Sequence, residues 1–348
     1  DLTNKTMLPG LVDSHTHIVF GGNRSAEFGK RLRGATYEEI AKAGGGIQTT
    51  VNATRNATLE ELVENGSKLA LSAAKYGTTS IEIKSGYSLN TEGERKQLEA
   101  IREIGNQVPL RVTPTFMGAH DFPLEKKNNR QAYIDEIINE MLPLVKERGL
   151  AEFCDVFVDR GYYTTEEGKQ ILEAGRSVGL MAKSHCDELA DVGAATMAAN
   201  VGAVSADHLL FVSDEGIENM KNSGTVAGLL PGTAYFIKMP YAPARKLIDS
   251  GVITAIATDC NPGSCFTENM QMIMSLSVIN MGMTAEEAIN AATINGAYSI
   301  RKSDLVGSLE VGKKADFIIC NCDNYVDIFY HFGINHIEQT WINGIKIN

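Results

Sequence analysis

Two histidines separated by one residue, His15 and His17 in VDSHTH, follow a run of apolar, strand-favouring residues. On an extended backbone the side chains at i and i+2 point to the same side, so both imidazoles face one way. Ring nitrogens placed like this can reach one ion at about 2.0–2.1 Å. His185 closes the run AKSH, His208 closes SADH, and Asp259 lies in ATDC. A lone histidine is usually a core residue and a lone aspartate often a helix cap, but four imidazoles and a carboxylate at the ends of separate strands form a metal-site donor set. The chemistry on offer is hydrolytic, because a bound ion polarises a carbonyl and brings the pKa of water from about 15.7 to about 7. A leaving nitrogen must also be protonated, and Glu188, just past His185 in SHCDEL, is placed to shuttle that proton. His208 and Asp259 are candidates to orient or deprotonate the water.

The elements that must hold these groups follow one rhythm from residue 8 to about 295. Eight runs rich in Val, Ile and Thr read as strands: 8–15, 78–85, 111–118, 153–159, 179–185, 202–208, 225–231 and 254–260. Amphipathic stretches lie between them, such as LEELVENGSKLALSAAKYG and EEGKQILEAGRSVG, several of which end in Gly as helices do. Regular β-then-α alternation predicts a parallel sheet, and a count of eight closes an α/β barrel of the (β/α)8 type. In such barrels the active site lies at the C-terminal ends of the strands, where the histidines and Asp259 fall.

The tail reads differently, as short alternating strands in GSLEVGKKADFIICN and HIEQTWINGIKIN joined by Gly and Asn turns. Residues 1–300 are therefore expected to form the barrel. Residues 301–348 are expected to be the C-terminal part of a small β-domain, in which Trp341 packs. Because MLPGLVDSHTH already carries chemistry near residue 1, the first strands of that β-domain are expected to precede the sequence.

With 43% hydrophobic and 22% charged residues the composition is that of an ordinary globular chain. The net charge is −11 and no Lys or Arg run interrupts it, which argues against a nucleic-acid partner. No stretch reaches the roughly 20 apolar residues of a membrane span. The six cysteines are scattered, the pattern of reduced thiols in a cytoplasmic protein. Cys320 and Cys322 are read as alternate residues on one strand face rather than a metal pair.

First-strand H-x-H, fifth- and sixth-strand His and an eighth-strand Asp resemble the amidohydrolase superfamily. Its binuclear members add a lysine late in the fourth strand. FCDVFVD has none, and Lys84 at the end of the second strand is expected in an ion pair. The resemblance thus implies one divalent ion, zinc or iron, held by His15, His17, His185 and Asp259, with His208 close by. The stretches VDSHTHIVFGGNR, EIKSGYSL, TFMGAHDFP, LLPGTAYF and ATDCNPGSCF are similar to the imidazolonepropionase family across nearly the whole chain. That resemblance implies hydrolysis of the cyclic amide of 4-imidazolone-5-propanoate to N-formimino-L-glutamate in histidine breakdown. It also implies a homodimer, and substrate contacts from Arg24, Tyr87, His120, Glu188, His208, Asn261, Gly263 and Ser264. The residue types agree with those roles. Arg24 can clamp a carboxylate, Tyr87 and His120 can donate hydrogen bonds into the mouth, and Asn261 with the Gly263 backbone can hold the far end of the substrate. The rival readings are a nucleobase-type deaminase, which would release ammonia, and an inactive scaffold, which would need a broken donor set.

Overall fold

The computed structural model describes residues 2–34 and 45–348. Eight strands form one sheet in chain order: β2 (Leu11–Asp13), β3 (Thr78–Lys84), β4 (Arg111–Ala119), β5 (Phe153–Val158), β6 (Met181–Cys186), β7 (Ser205–His208), β8 (Val226–Leu229) and β9 (Thr254–Ile256). Every neighbouring pair is parallel. The sheet closes on itself beyond the ends of β2 and β9, where Thr16 and Cys260 form a parallel bridge. There the His17 amide donates to the Cys260 carbonyl at 2.9 Å and the Asp259 amide to the His15 carbonyl at 3.0 Å. Thr258 adds two bonds to the Asp13 carboxylate, from its amide at 2.9 Å and its hydroxyl at 2.6 Å.

Helices pack outside the strands and their starts are written in the sequence. Thr58 with Glu61, Thr164 with Glu167 and Thr284 with Glu287 each form a reciprocal capping box, which satisfies backbone donors that the first helical turn leaves open. The core between helices and barrel is one large apolar cluster, including Leu62, Ile101, Ile104, Ile134, Ile171 and Leu247, with a small second one around Val12 and Ile300. No described helix is long and apolar enough to cross a membrane.

The first strand differs from its expected form. It splits at Gly10, and Thr6–Pro9 (β1) leaves the barrel for a second, antiparallel sheet with β10 (Phe317–Cys320), β11 (Ile337–Ile342) and β12 (Ile345–Lys346). A Cβ at Gly10 would lie 2.2 Å from the Thr79 hydroxyl oxygen, so only glycine lets the chain cross from one sheet to the other here. The small sheet therefore draws on both ends of the chain, and residues 6–9 belong with the tail rather than with the barrel. Trp341 packs in it as expected, its ring stacked on Phe317 at 5.3 Å. Cys320 and Cys322 do not share a strand face, because β10 ends at Cys320 where the ladder shifts register, and Cys322 lies in the following loop. All six cysteines are free thiols.

Candidate metal centre and active site

The strand ends bring three of the four expected ligands, His15, His17 and His185, into one group with ligand atoms all within 4.8 Å of one another, and set Asp259 beside it. His17 Nε2 lies 3.3 Å from His15 Nε2 and 3.3 Å from His185 Nε2. Asp259 Oδ1 lies 3.6 Å from His15 Nε2 and 3.7 Å from His17 Nε2. Donors at about 2.0–2.1 Å from one centre and at tetrahedral angles stand roughly 3.3–3.4 Å apart, so the spacing of the imidazoles fits a single ion, with the Asp259 carboxylate slightly farther out. All four side chains are buried. Burial, followed by the charge of Lys84 for His15 and the neighbouring His120 for His17, holds both imidazoles well below the usual histidine range. They are therefore neutral, the form that ligates a cation.

Behind the imidazoles is a layer of buried charge. Asp207 Oδ2 accepts from His15 Nδ1 at 2.7 Å, and Asp155 Oδ1 accepts from His185 Nδ1 at 3.0 Å. Each carboxylate keeps the ring proton on Nδ1 and turns the Nε2 lone pair toward the donor cluster. Lys84 Nζ bonds Asp155 at 2.7 Å and Glu82 at 3.0 Å, while Lys183 Nζ bonds Glu82 at 2.7 Å and the Ser14 carbonyl at 3.0 Å. Lys84 is thus in an ion pair as expected, and burial of its ammonium is outweighed by Asp155, Glu82 and Asp207, which raise its pKa. Asp155 and Asp207 are functional residues that the motif reading passed over. A signal for them exists, since charges inside the apolar strands TTSIEIK, FCDVFV and SADH must find partners. Asp207→Ala should lower metal affinity by roughly 10–100-fold while the fold persists. Chelator competition with circular dichroism as the fold control checks this, and wild-type affinity would leave Asp207 without a role at the site.

A cavity of about 510 Å³ opens above the donors, and it gathers all eight expected substrate contacts: Arg24, Tyr87, His120, Glu188, His208, Asn261, Gly263 and Ser264. Several are held by residues that the sequence motifs did not single out. Glu94 accepts from the amides of Gly86, Ser88 and Leu89, and Gln97 from that of Tyr87, which together fix the loop after β3. Asp159 accepts from the amides of Glu188 at 2.7 Å and Leu189 at 2.8 Å. His208 and Asp259 adopt φ of 78° and 51°, left-handed values that are uncommon for non-glycine residues though His and Asp take them more readily than most.

Three of these residues act differently from expectation. His120 Nδ1 bonds the Gly86 carbonyl at 3.1 Å, so its one N–H is spent there. Burial and His185 push its pKa down to about 3, and the neutral ring offers the cavity an acceptor at Nε2 rather than a donor. Asn261 turns inward. Its Oδ1 accepts from the Gly263 and Ser264 amides at 2.8 Å each, and its Nδ2 donates to the Asp259 carbonyl and Ser264 Oγ. With the carboxamide engaged at both ends, Asn261 shapes the loop after Asp259. The Gly263 amide is spent in that turn as well. What Gly263 contributes is the missing side chain, because a Cβ there would lie 2.3 Å from Arg24 Nη1.

Arg24 immediately precedes the helix Ser25–Leu32 without a side-chain capping bond, and its Nε donates to Glu27 at 2.9 Å. Glu188 is the opposite case, a carboxyl with no Lys or Arg in ion-pair range among the described residues. Burial first, then the charges of Asp259 and Asp159, raise its pKa to about 8. Its Oε2 lies 3.7 Å from His208 Nδ1, a buried atom with no hydrogen-bond partner of its own.

The amidohydrolase family model matches residues 6–346. An imidazolonepropionase of Alkaliphilus metalliredigens is 49% identical over 345 residues, 99% of this chain and 82% of that protein. An imidazolonepropionase of Geobacillus kaustophilus is 50% identical over 347 residues, 100% of this chain and 82% of that one. Among solved structures, a 5-methylcytosine deaminase from Klebsiella pneumoniae superposes with a TM-score of 0.79 at 15% identity, covering 100% of this chain and 88% of that one. A zinc-bound adenosine deaminase from Xanthomonas campestris gives 0.72 at 18%, over 99% and 80% of the two chains. These two likenesses establish the barrel fold alone. Identity near one half over essentially the whole chain is a far closer relation, and by it the chain belongs to the amidohydrolase family and, within that family, to the imidazolonepropionases.

Proposed function

We infer that the chain hydrolyses the cyclic amide of 4-imidazolone-5-propanoate to N-formimino-L-glutamate, a step of histidine degradation. The observation that carries this reading is 49–50% identity to imidazolonepropionases along 99–100% of the chain. The site supports it, with a donor set for one ion at the floor of the cavity, a carboxyl with a raised pKa beside it and a guanidinium on its wall.

In this reading His15, His17, His185 and Asp259 hold one divalent ion, zinc or iron. When bound, the ion supplies Lewis acidity to the amide carbonyl and makes water acidic enough to attack near neutral pH. The remaining work belongs to the side chains. Arg24 takes the propanoate, aligned by Glu27 and by the open space over Gly263. His120 Nε2 accepts a ring N–H and Tyr87 packs beside it, its ring 5.2 Å from that of His120. Glu188, protonated at neutral pH, delivers its proton to the departing ring nitrogen when the C–N bond breaks. His208 and Asp259 take up the proton that the attacking water loses. Asn261 keeps the loop after Asp259 in shape. The homodimer and the cytoplasmic setting belong to the same reading.

Protein purified without added metal should contain about one equivalent of zinc or iron per chain by elemental analysis. It should also consume freshly prepared imidazolone propionate in a spectroscopic assay. Two tightly held ions would overturn the mononuclear site. Release of ammonia from a nucleobase, with no turnover of the imidazolone, would favour a deaminase.

A further inference from the structure

We propose that Arg31, lying against Phe236, is a capture position for short carboxylates at the mouth of the active cavity, outside Arg24. The proposal rests on the substrate class given above. Arg31 follows Arg24 by seven residues along the helix Ser25–Leu32. At about 100° per residue the two return to nearly the same face, roughly 10 Å apart along the axis. Both line the active cavity, and both also line an adjoining cavity of about 480 Å³. That outer space is walled by Phe28, Phe236, Pro262 and Phe266. The two guanidiniums thus stand at the passage between an aromatic-walled outer chamber and the chamber above the metal donors.

Arg31 is also held in a way that leaves its donors for a ligand. Its Cζ lies 5.8 Å from the centre of the Phe236 ring, which is stacked in turn on Phe28 at 5.0 Å. A ring face steadies a guanidinium without consuming its N–H groups. Arg24 has Glu27 at 2.9 Å, whereas among the described residues no carboxylate is in ion-pair range of Arg31. The chain as a whole carries −11, so its general field repels an anion. A local cation at the mouth offsets that field and raises the rate of productive encounter, an effect that salt screens. A substrate's single carboxylate engages the two arginines in turn. It meets Arg31 first and passes to Arg24 as the ring reaches the floor.

The test uses metal-loaded protein. In Arg31→Met, KM for imidazolone propionate should rise about 5–10-fold with kcat within roughly twofold, and Arg31→Glu should go further in the same direction. The fall of kcat/KM with rising salt seen in the wild type should flatten in both variants. Calorimetric binding of glutarate, an inert dicarboxylate, should weaken in Arg31→Met by a similar factor. Unchanged KM, salt dependence and glutarate binding in Arg31→Met would overturn the proposal, as would an equal loss of kcat and kcat/KM with no change in salt response. Failure of the wild type to turn over imidazolone propionate would strike the substrate reading instead, and glutarate binding would still decide the role of Arg31.

Discussion

Glu188→Gln should keep its metal and lose roughly 10²–10⁴-fold in kcat, the usual contribution of a general acid–base group. The expectation comes from the position of the carboxyl, buried at the cavity wall with Asp259 and Asp159 as its charged neighbours and a pKa raised to about 8. Gln has the same shape and no proton to give. The same substitution should have an opposite effect on stability. A carboxyl whose pKa rises from 4.5 unfolded to about 8 folded favours the native state fully only below the lower value. Its contribution is lost as pH climbs through the upper one. Metal-free Glu188→Gln should therefore melt at least about 2 °C above metal-free wild type at pH 8, with the gap closing below pH 5. A variant that keeps full kcat, or one no more stable at pH 8 than at pH 5 relative to wild type, would remove Glu188 from the acid–base role.

The second large effect concerns Arg24. Charge-assisted hydrogen bonds are worth about 1.5–3 kcal/mol each, and a guanidinium can offer two to a carboxylate. Arg24→Met keeps the bulk and removes both, so kcat/KM for imidazolone propionate should fall by at least roughly 10²-fold. An analogue without the carboxylate should lose far less, and discrimination between the two should shrink. Metal content should not move, because Arg24 is not among the metal donors. Equal losses for both compounds would mean that Arg24 only braces the loop through Glu27.

The residues of this site were legible in unequal degree. That His15, His17, His185, His208 and Asp259 gather at one end of the barrel could be read from spacing because strand ends repeat at the period of the βα unit, while the choice of ligands among them came from the family resemblance. The barrel was legible for the same reason. The cavity contacts came from a family resemblance, and the folded chain shows what that could not supply, the direction in which each group points. His120 and Asn261 were named correctly as cavity residues, yet their hydrogen-bonding sense depends on Gly86 and on the turn at Gly263–Ser264, which no linear motif encodes. Asp155 and Asp207 escaped because a carboxylate inside a strand declares its partner only once the barrel is rolled. The split at Gly10 was hidden for another reason. Residues 8–15 read as one strand despite the Pro9–Gly10 pair, and the collision with Thr79 that forces a glycine there is a contact between distant segments.

The closing seam of the barrel has a consequence for how the protein assembles. Asp13 and Thr258, which join across it, are 245 residues apart in sequence. The ordered parallel pairing of the other strands stops short at this junction, where a single bridge at Thr16 and Cys260 is flanked by two backbone bonds. His15 and His17 stand on one lip and Asp259 on the other, so an ion shared among them, as proposed above, would be a clasp between the beginning and the end of the barrel. Its binding energy counts toward ring closure as well as toward chemistry, since whatever binds only the closed form stabilises it by mass action, about 4 kcal/mol at a thousandfold excess over Kd. Chelation should lower the melting temperature of wild-type protein and leave that of His185→Ala nearly unmoved. Contacts spanning so much chain are also slow to find. In a cell short of metal, the seam would rest on the Thr16–Cys260 and Asp13–Thr258 contacts alone, and the ring would be the less stable for it.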